Sequence, residues 1–175
     1  MNVELTTVVT PDDLSLLHKL YDESFPAEER REWSLIESPA TAGCPALFAI
    51  IADGHLVGML TLWTFEHFSY VEHFVIAPNF RGKGVGSEAM RQLIEKIGNR
   101  PLVVEIEPAV DGRPETIRRR DFYSKLGFST ISTDYIQPPY SPSLPSVPMH
   151  LMATTILPSQ STAATLHYKV YGYFE

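Results

Sequence analysis

The sequence predicts a mixed α/β (α+β) fold whose sheet begins with antiparallel strands. Short runs rich in β-branched residues alternate with segments whose apolar residues recur every three to four positions, as strands and helices do. The pair Asp53-Gly54 joins the apolar runs 46–52 and 56–65, which is a strong signal for an antiparallel hairpin. The 175 residues are 44% apolar, enough for one core, so we expect a single domain over residues 1–175.

Elements on either side of the hairpin can be placed from the same patterns. Residues 3–9 predict a strand, and the helical spacing after Pro11 predicts a helix over 11–24. The charged run 28–33 predicts a second short helix with an exposed face. Residues 70–76 predict a strand that follows the two strands of the hairpin. An amphipathic helix is predicted next, beginning within 81–86 and stopping near Gly98.

The last third of the chain is less regular. Residues 102–106 predict a buried strand, and 114–126 predict a helix ended by Gly127. Five prolines in 137–148 exclude a regular element there and predict a long loop. Residues 149–155 predict a further strand, and the last dozen residues fit either a docked helix or a strand.

Composition and charge exclude several classes of function. The net charge of −7 repels nucleic acids and anionic membranes, and it suits a cationic substrate better than a polyanionic one. A single cysteine, Cys44, excludes an internal disulfide and a cysteine-rich zinc site, so no metal is expected. No signal peptide and no run of ~20 apolar residues is present, so we expect a cytoplasmic protein without a membrane partner.

A glycine-rich segment predicts an anion site. Three glycines alternate in Arg81-Gly82-Lys83-Gly84-Val85-Gly86, directly after a strand and at the opening of a helix. Free backbone N–H groups at a helix start attract phosphate, and Arg81, Lys83 and the hydroxyl of Ser87 add donors. The spacing matches neither the nucleotide-binding P-loop nor the dinucleotide-binding turn, because the third glycine comes one residue early for the latter.

Two motifs resemble those of a known family. The segment 75–86 resembles the central motif of the GCN5-related N-acetyltransferase (GNAT) superfamily, Arg/Gln-x-x-Gly-x-Gly/Ala after a hydrophobic strand and a proline. The segment Phe122-Tyr123-Ser124-Lys125-Leu126-Gly127-Phe128 is similar to the family's Phe-Tyr-x-x-x-Gly-Phe. The resemblance implies a mostly antiparallel sheet of six to seven strands flanked by about four helices.

The resemblance also implies acetyl-CoA as co-substrate. The pyrophosphate would lie on the amides of the glycine-rich turn with Ser87 nearby, and the pantetheine arm would pair with the end of the preceding strand. The residues implied in cofactor binding are Phe74, Val75, Ile76, Arg81, Gly82, Lys83, Gly84, Val85, Gly86 and Ser87.

Acyl transfer to an amine requires a base, because an alkyl ammonium with a pKa of about 10.4 cannot attack a thioester. The resemblance implies Glu72 as that base. Glu105 and Glu107, which share one face of their predicted strand, are the alternatives. Strand alternation places His73 on the opposite face from Glu72. Tyr123 is similar to the family's tyrosine near the cofactor sulfur, which implies a general acid.

Substrate contacts are expected from the first two helices and from the proline-rich loop. The candidates are Glu23, Phe25, Glu28 and Tyr140. The predicted function is an N-acetyltransferase that acetylates a primary amine of a small molecule or peptide by direct attack. The alternatives are an acyl-CoA-binding sensor or scaffold without turnover, and a nucleotide-binding domain. The acceptor, the acyl preference and assembly into a homodimer stay open.

Overall fold

The computed structural model of the protein describes residues 1–7, 9–38 and 43–172. The chain divides into two compact units, Met1–Arg100 and Pro101–Glu175. The expectation of a single domain stays a prediction.

The first unit contains four strands and three α-helices among its described residues. In chain order they are β1 (Val3–Thr6), α1 (Pro11–Ser24), α2 (Trp33–Glu37), β2 (Ala46–Ala52), β3 (His55–Thr64), β4 (Ser69–Ile76) and α3 (Val85–Ile97). The strand predicted over 3–9 ends at Thr6, and residue 8 lies outside the described part.

The second predicted helix was misplaced. Residues 27–29 form a single 3₁₀ turn, and helix α2 starts only at Trp33. A run of like and unlike charges indicates an exposed surface, but it does not fix where helical hydrogen bonding begins.

The strands of this unit follow the order β1-β2-β3-β4, and each neighbouring pair is antiparallel. The predicted hairpin is confirmed: Asp53 (φ 48°) and Gly54 (φ 81°) both occupy the left-handed region at the turn between β2 and β3. Two consecutive positive φ values define the type I′ turn, which Asp-Gly favours. Helix α1 is confirmed too, and a capping box of Thr10 and Asp13 begins it.

Helices cover both faces of this sheet. Leu17 and Tyr21 of α1 pack in a buried cluster that includes Val75, whereas Val85 and Ala89 of α3 pack in a second cluster. The second cluster includes Ile76, the neighbour of Val75. Because adjacent strand residues point to opposite faces, α1 and α3 lie on opposite sides of β4. The apolar stripe predicted for α3 is therefore buried as expected.

The second unit contains three strands and two α-helices among its described residues. They are β5 (Leu102–Ile106), α4 (Pro114–Lys125), β6 (Ser129–Gln137), β7 (Val147–Ala153) and α5 (Ser159–Lys169). The strand order is β5-β7-β6, and both pairs are antiparallel. The strand β6 had not been predicted, and the tail forms the helix α5 through Lys169, with residues 173–175 outside the described part.

The proline-rich loop is shorter than predicted. Gln137 still pairs with Val147, and Pro148 lies within β7 opposite Ile136. Strand β5 pairs with β7 only from His150 to Ala153, so Pro148 is hydrogen-bonded on one side at most within this unit. Proline is tolerated at such an edge-like position, which is why the strand starts two residues before Met149.

Seven strands and five α-helices among the described residues confirm the predicted class, a mixed and mostly antiparallel α/β fold. All helices in the described part of the chain are too short or too polar to cross a bilayer.

Candidate active site

The glycine-rich turn leaves the start of α3 open for an anion. Gly82 (φ 73°) and Gly84 (φ 83°) take left-handed backbone angles, which glycine adopts without strain. No side chain within the described residues caps the helix, and its first backbone bond runs from Glu88 N to Gly84 O at 3.0 Å. The amides of residues 85–87 therefore lack helical partners. Residues 81–84 are exposed, so phosphate can reach this end of the helix.

The turn carries two cationic side chains, Arg81 and Lys83, which have different contacts. Arg81 donates from Nε to the carbonyl oxygen of Ile76 at 2.7 Å and so ties the turn to the end of β4. The exposed Lys83 places Nζ 5.6 Å from the centre of the Phe80 ring. Ser87 is half-buried in the first turn of α3. These residues bring together the donors expected for a pyrophosphate.

The end of β4 is held close to β3. A Cβ atom on Gly58 would lie 2.4 Å from the Val75 carbonyl oxygen, so only glycine allows this approach. Ala77 N also donates to Val57 O at 2.7 Å. The backbone of Phe74, Val75 and Ile76 is therefore fixed, and the Ile76 carbonyl already accepts the Arg81 guanidinium. The pantetheine contact predicted for these three residues stays a prediction.

Glu72 lies in a buried ion pair. Its side chain is 0% exposed and accepts bonds from Arg31, with Nε and Nη2 at 3.0 and 2.9 Å from Oε1. The indole Nε1 of Trp63 donates to Oε2 at 2.8 Å. The Arg31 guanidinium also lies 5.2 Å from the centre of the Trp63 ring. Through these contacts the Glu72 carboxylate anchors Arg31, and with it the segment before α2, to strand β4.

His73 lies on the same side as Glu72, so the expectation of opposite faces was wrong. Thr61 pairs with His73 and Leu62 pairs with Val71, which leaves Glu72 as an extra residue in the register. Such a β-bulge interrupts strict alternation. His73 Nε2 lies 2.7 Å from the carbonyl oxygen of Glu29, and Nδ1 lies 4.0 Å from Oε2 of Glu72.

Burial and charge shift the pKa values of both residues. Burial alone raises the pKa of the Glu72 carboxyl, but Arg31, His73 and the hydrogen bonds from Arg31 and Trp63 outweigh it and hold the pKa below its ordinary value. Burial lowers the pKa of His73, and the opposing effect of Glu72 does not restore it. The ionised carboxylate and the neutral imidazole are thus the favoured forms.

Tyr123 projects from α4 in the second unit. Its ring is 7% exposed and packs edge-on against Phe122 and Phe128, with centroids 5.1 and 5.2 Å away. Burial raises the pKa of the phenol to about 12, against a small opposing effect of Arg119. None of the hydrogen bonds among the described residues involves this hydroxyl. A tyrosine this deeply buried usually finds a partner for its hydroxyl, so the group is available to a ligand.

Glu105, on β5, is held by two phenols. Tyr135 donates to Oε1 at 2.6 Å, and Tyr171 donates to Oε2 at 2.9 Å. The residue is half-buried, and these two donors are neutral phenols, whereas Glu72 is paired with a guanidinium. The alternative candidate Glu107 accepts a hydrogen bond from Arg113 at 2.8 Å and is drawn into a surface ion pair.

The predicted substrate residues fall in different surroundings. Glu23 is exposed and lies 3.8 Å from Lys19, while Phe25 packs edge-on against His73. Glu28 lies in the 3₁₀ turn and is half-buried. Tyr140 packs against Tyr171, with ring centroids 5.2 Å apart. Tyr140 and Phe25 each share a neighbour with a predicted catalytic residue, since Tyr171 also contacts Glu105 and His73 lies 4.0 Å from Glu72.

Four functional candidates were missed from the sequence: Arg31, Trp63, Tyr135 and Tyr171. Each contacts a glutamate on another strand or segment, at separations of 41, 9, 30 and 66 residues. The only available signal was their type, because arginine, tryptophan and tyrosine often anchor buried polar groups. Among the described residues, no three His, Cys, Asp or Glu side chains are placed to hold a metal.

The acetyltransferase (GNAT) family model matches residues 14–128. In three dimensions the chain is similar to the "Putative acetyltransferase from GNAT family from Bacteroides thetaiotaomicron", with a TM-score of 0.84 and 33% identity. That similarity covers 99% of this chain and 100% of the other.

Two further proteins are similar over different spans. A GNAT family acetyltransferase from Elizabethkingia anophelis, solved with acetyl-CoA bound, shares the fold with a TM-score of 0.57 and 17% identity, over 89% of this chain and 99% of that one. The "Putative acetyltransferase YjbC" of Bacillus subtilis (strain 168) is 30% identical over 64 residues. These are 37% of this chain and 32% of that protein, so the match spans about a third of its length.

The two sequence motifs, the open start of α3 and the match over residues 14–128 agree. The chain belongs to the GNAT family of acetyltransferases.

Proposed function

We propose that the protein transfers an acetyl group from acetyl-CoA to a primary amine of a small molecule or peptide, by direct attack with general acid and base assistance. The observation that carries this proposal is the uncapped start of α3, where amides without helical partners follow two left-handed glycines in an exposed turn. Because amides and cations favour phosphate oxygens, these residues fit the pyrophosphate of a CoA thioester. Acetyl-CoA supplies the acetyl group activated as a thioester.

The cofactor would be held by residues 81–87 through the amides of the turn, with Lys83 adding charge. The backbone of Phe74 to Ile76 would orient the pantetheine arm and supply an amide for the developing oxyanion. Both segments lie in the first unit, and Arg81 joins them through its bond to the Ile76 carbonyl. A substitution in the turn should therefore weaken cofactor binding rather than the proton transfers.

Tyr123 is proposed as the general acid. Its pKa of about 12 keeps the proton on Oη throughout the physiological range, and no other described residue uses that hydroxyl. A phenol that keeps its proton can deliver it to a departing thiolate. The edge-on contacts with Phe122 and Phe128 fix the ring and hence the direction of the hydroxyl.

We propose Glu105 in preference to Glu72 as the base. A base must exchange protons with the substrate or with a water, and the side chain of Glu72 is 0% exposed. The partner of Glu72 is a guanidinium, which stabilises the carboxylate and makes it a weaker proton acceptor. Glu72 would then act as a positioning residue for the segment that holds Arg31.

The test combines calorimetry with a thiol-release assay over a panel of amines. Acetyl-CoA should bind with micromolar affinity, about −8 kcal/mol, and ATP and NADH should bind far more weakly. Glu105→Gln and Tyr123→Phe should lose turnover and keep cofactor affinity. Binding without turnover on any amine would favour the sensor or scaffold alternative. Absence of acetyl-CoA binding to folded protein would refute the proposed function. Cytoplasmic location and a homodimer remain expectations from the sequence.

A further inference from the structure

Helix α4 carries three consecutive arginines in a protein whose net charge is −7. Arg118, Arg119 and Arg120 are all exposed. Arg120 donates to Asp121 at 2.9 Å, and Arg118 lies one turn after Glu115. Arg119 has neither a hydrogen bond nor an ion pair with any residue that the structure describes. Its charge is therefore not balanced by a carboxylate within the described part of the chain.

Arg119 and Tyr123 are neighbours on one face of α4. They are four residues apart, the spacing that brings two helical side chains together. Helical side chains lean towards the N-terminus of their helix, so the phenol of Tyr123 leans towards the turn that carries Arg119. The pKa of Tyr123 reflects both surroundings, because burial raises it to about 12 and the charge of Arg119 opposes that rise. The guanidinium is thus close enough to act on the phenol oxygen.

The hydroxyl of Tyr123 is open although its ring is buried. The residue is 7% exposed, and Phe122 and Phe128 hold the ring edge-on. The hydroxyl oxygen has no hydrogen bond within the described residues, yet it is not one of their fully enclosed polar atoms that lack a partner. The oxygen therefore contacts solvent at the end of a fixed ring. A reacting group can approach it there without displacing the ring.

The strand that packs against α4 carries two carboxylates, and both are engaged elsewhere. Glu105 accepts hydrogen bonds from two phenols, and Glu107 accepts one from Arg113. Neither carboxylate shifts the pKa of Tyr123, for which burial and Arg119 are the causes. Among the described residues, Arg119 is therefore the charged group that acts on this hydroxyl.

We propose that Arg119 is the electrostatic partner of the general acid, and that its guanidinium stabilises the negative charge that Tyr123 Oη acquires when the phenol gives its proton to the departing thiolate. This inference rests on the proposed function and deepens it, because it adds a residue to the proton-transfer step. Arg119 acts through Tyr123, so it is a positioning residue and not a catalytic one. A cation one turn away makes a buried phenol a stronger acid than burial alone would allow.

The proposed step is balanced in protons and electrons. As the acetyl group leaves, the C–S bond breaks and its electron pair stays on sulfur. The O–H bond of Tyr123 breaks as the S–H bond forms, which yields the CoA thiol and a phenolate. Arg119 stays charged throughout, since a guanidinium does not lose its proton in proteins. Water returns a proton to the phenolate before the next turnover.

The first experiment measures the electrostatic contact without chemistry. Tyr123→3-fluorotyrosine in the full chain reports the ionisation of this phenol by ¹⁹F NMR, in the absence of acetyl-CoA and of any amine. Arg119→Gln should lower the acid dissociation constant of the phenol about threefold to tenfold, because a stabilising charge is removed. Arg119→Lys keeps the charge and should stay within about twofold of the parent. The difference should shrink in high salt, since mobile ions screen exposed charges. An equal dissociation constant in the parent and Arg119→Gln would overturn the proposal.

Turnover then tests whether the contact matters for the reaction. Arg119→Gln should lower kcat about threefold to tenfold and leave the Kd of acetyl-CoA unchanged. Adding Tyr123→3-fluorotyrosine to that variant should restore part of kcat, because fluorine also stabilises the phenolate. A purely structural role of Arg119 would not be rescued in this way.

The matched control is Arg118→Gln, which removes the same charge at a position about 100° away around the helix. It should change neither kcat nor the Kd of acetyl-CoA. A parent-like kcat for Arg119→Gln, or a weakened Kd in place of a lowered kcat, would refute the assignment.

The outcomes separate this inference from the proposed function. A protein that acetylates no amine contradicts the proposed activity, whereas a lowered dissociation constant in Arg119→Gln still supports the contact with Tyr123. A protein that acetylates amines, loses kcat in Tyr123→Phe and keeps parent-like kinetics in Arg119→Gln supports the activity and refutes the inference.

Discussion

The guanidinium of Arg31 and the carboxylate of Glu72 form a close ion pair, in which Nε and Nη2 both lie within 3.0 Å of Oε1 and Nε lies 3.3 Å from Oε2. Their side chains are 11% and 0% exposed, so the pair is buried on both sides. A residue of the connection between the first two helices is thereby locked to the bulge of β4. The same pair removes the Glu72 carboxylate from solvent and holds its pKa below its ordinary value.

Breaking this pair should cost stability. Glu72→Gln should lower the free energy of unfolding by about 3–5 kcal/mol, because it leaves the Arg31 charge without its buried counter-ion. The double variant Arg31→Met/Glu72→Gln should lose less than the sum of the single variants Arg31→Met and Glu72→Gln. Urea unfolding measures all four proteins.

The control for that series is Glu23→Gln, which removes an exposed pair with Lys19 and should change stability by less than about 0.5 kcal/mol. Additive losses in the double variant would show that the Arg31–Glu72 contact contributes nothing to stability.

Acidification should destabilise the protein in two steps. The pKa of His73 is below its ordinary 6.5 because burial disfavours the imidazolium, so the unfolded chain binds the proton first. The stabilisation is present above pH 6.5 and is lost as the pH falls towards the lowered folded value. The pKa of Glu72 is likewise below its ordinary 4.5, so a second loss begins below pH 4.5.

Urea midpoints between pH 8 and 3.5 test this order of events. His73→Gln should flatten the dependence between pH 7 and 5 and keep the loss below pH 4.5. An identical slope in the parent and the variant between pH 7 and 5 would rule out His73 as its source.

Gly84→Ala should weaken acetyl-CoA binding about tenfold or more, because the anion site depends on the left-handed backbone at this position. Nothing lies within 4 Å of the added Cβ, so the effect is one of backbone angle and not of steric clash. Gly54→Ala is the matched control, since Gly54 has a nearly equal φ of 81° at the hairpin turn. Calorimetry should find the control's Kd unchanged, and equal losses in both variants would contradict a local role of the turn.

Tyr123→Phe should reduce kcat by about 10² to 10⁴, the range for loss of a general acid, without changing the Kd of acetyl-CoA. The ring contacts remain, so the fold should be kept. Because the pKa of Tyr123 is about 12, its ionisation should cause no alkaline loss of rate below about pH 11. A parent-like kcat in the variant, or an alkaline limb near pH 9 that the variant abolishes, would exclude this role; Tyr168→Phe serves as the control.

The sequence alone determined the local structure with strong signals. Asp53-Gly54 specified the hairpin because few residues tolerate two positive φ values, and the alternating glycines specified the open start of α3 for the same reason. Helix α1 followed from periodicity and strand β5 from its β-branched content, with bounds that the structure reproduces. The two spaced motifs also identified the family, because the residues that form a binding turn are consecutive in the sequence and can be recognised as a motif.

Tertiary structure decided which partners hold each candidate carboxylate. Glu72 and Glu105 look alike as strand residues, but partners 41 and 66 positions away bury one with a guanidinium and hold the other with phenols. The bulge that turns His73 to the side of Glu72 depends on the register with β3, and no local pattern encodes it. Long-range pairing sets burial, and burial sets the charge state and reach of a side chain. Catalytic roles therefore depend on contacts that sequence spacing does not show.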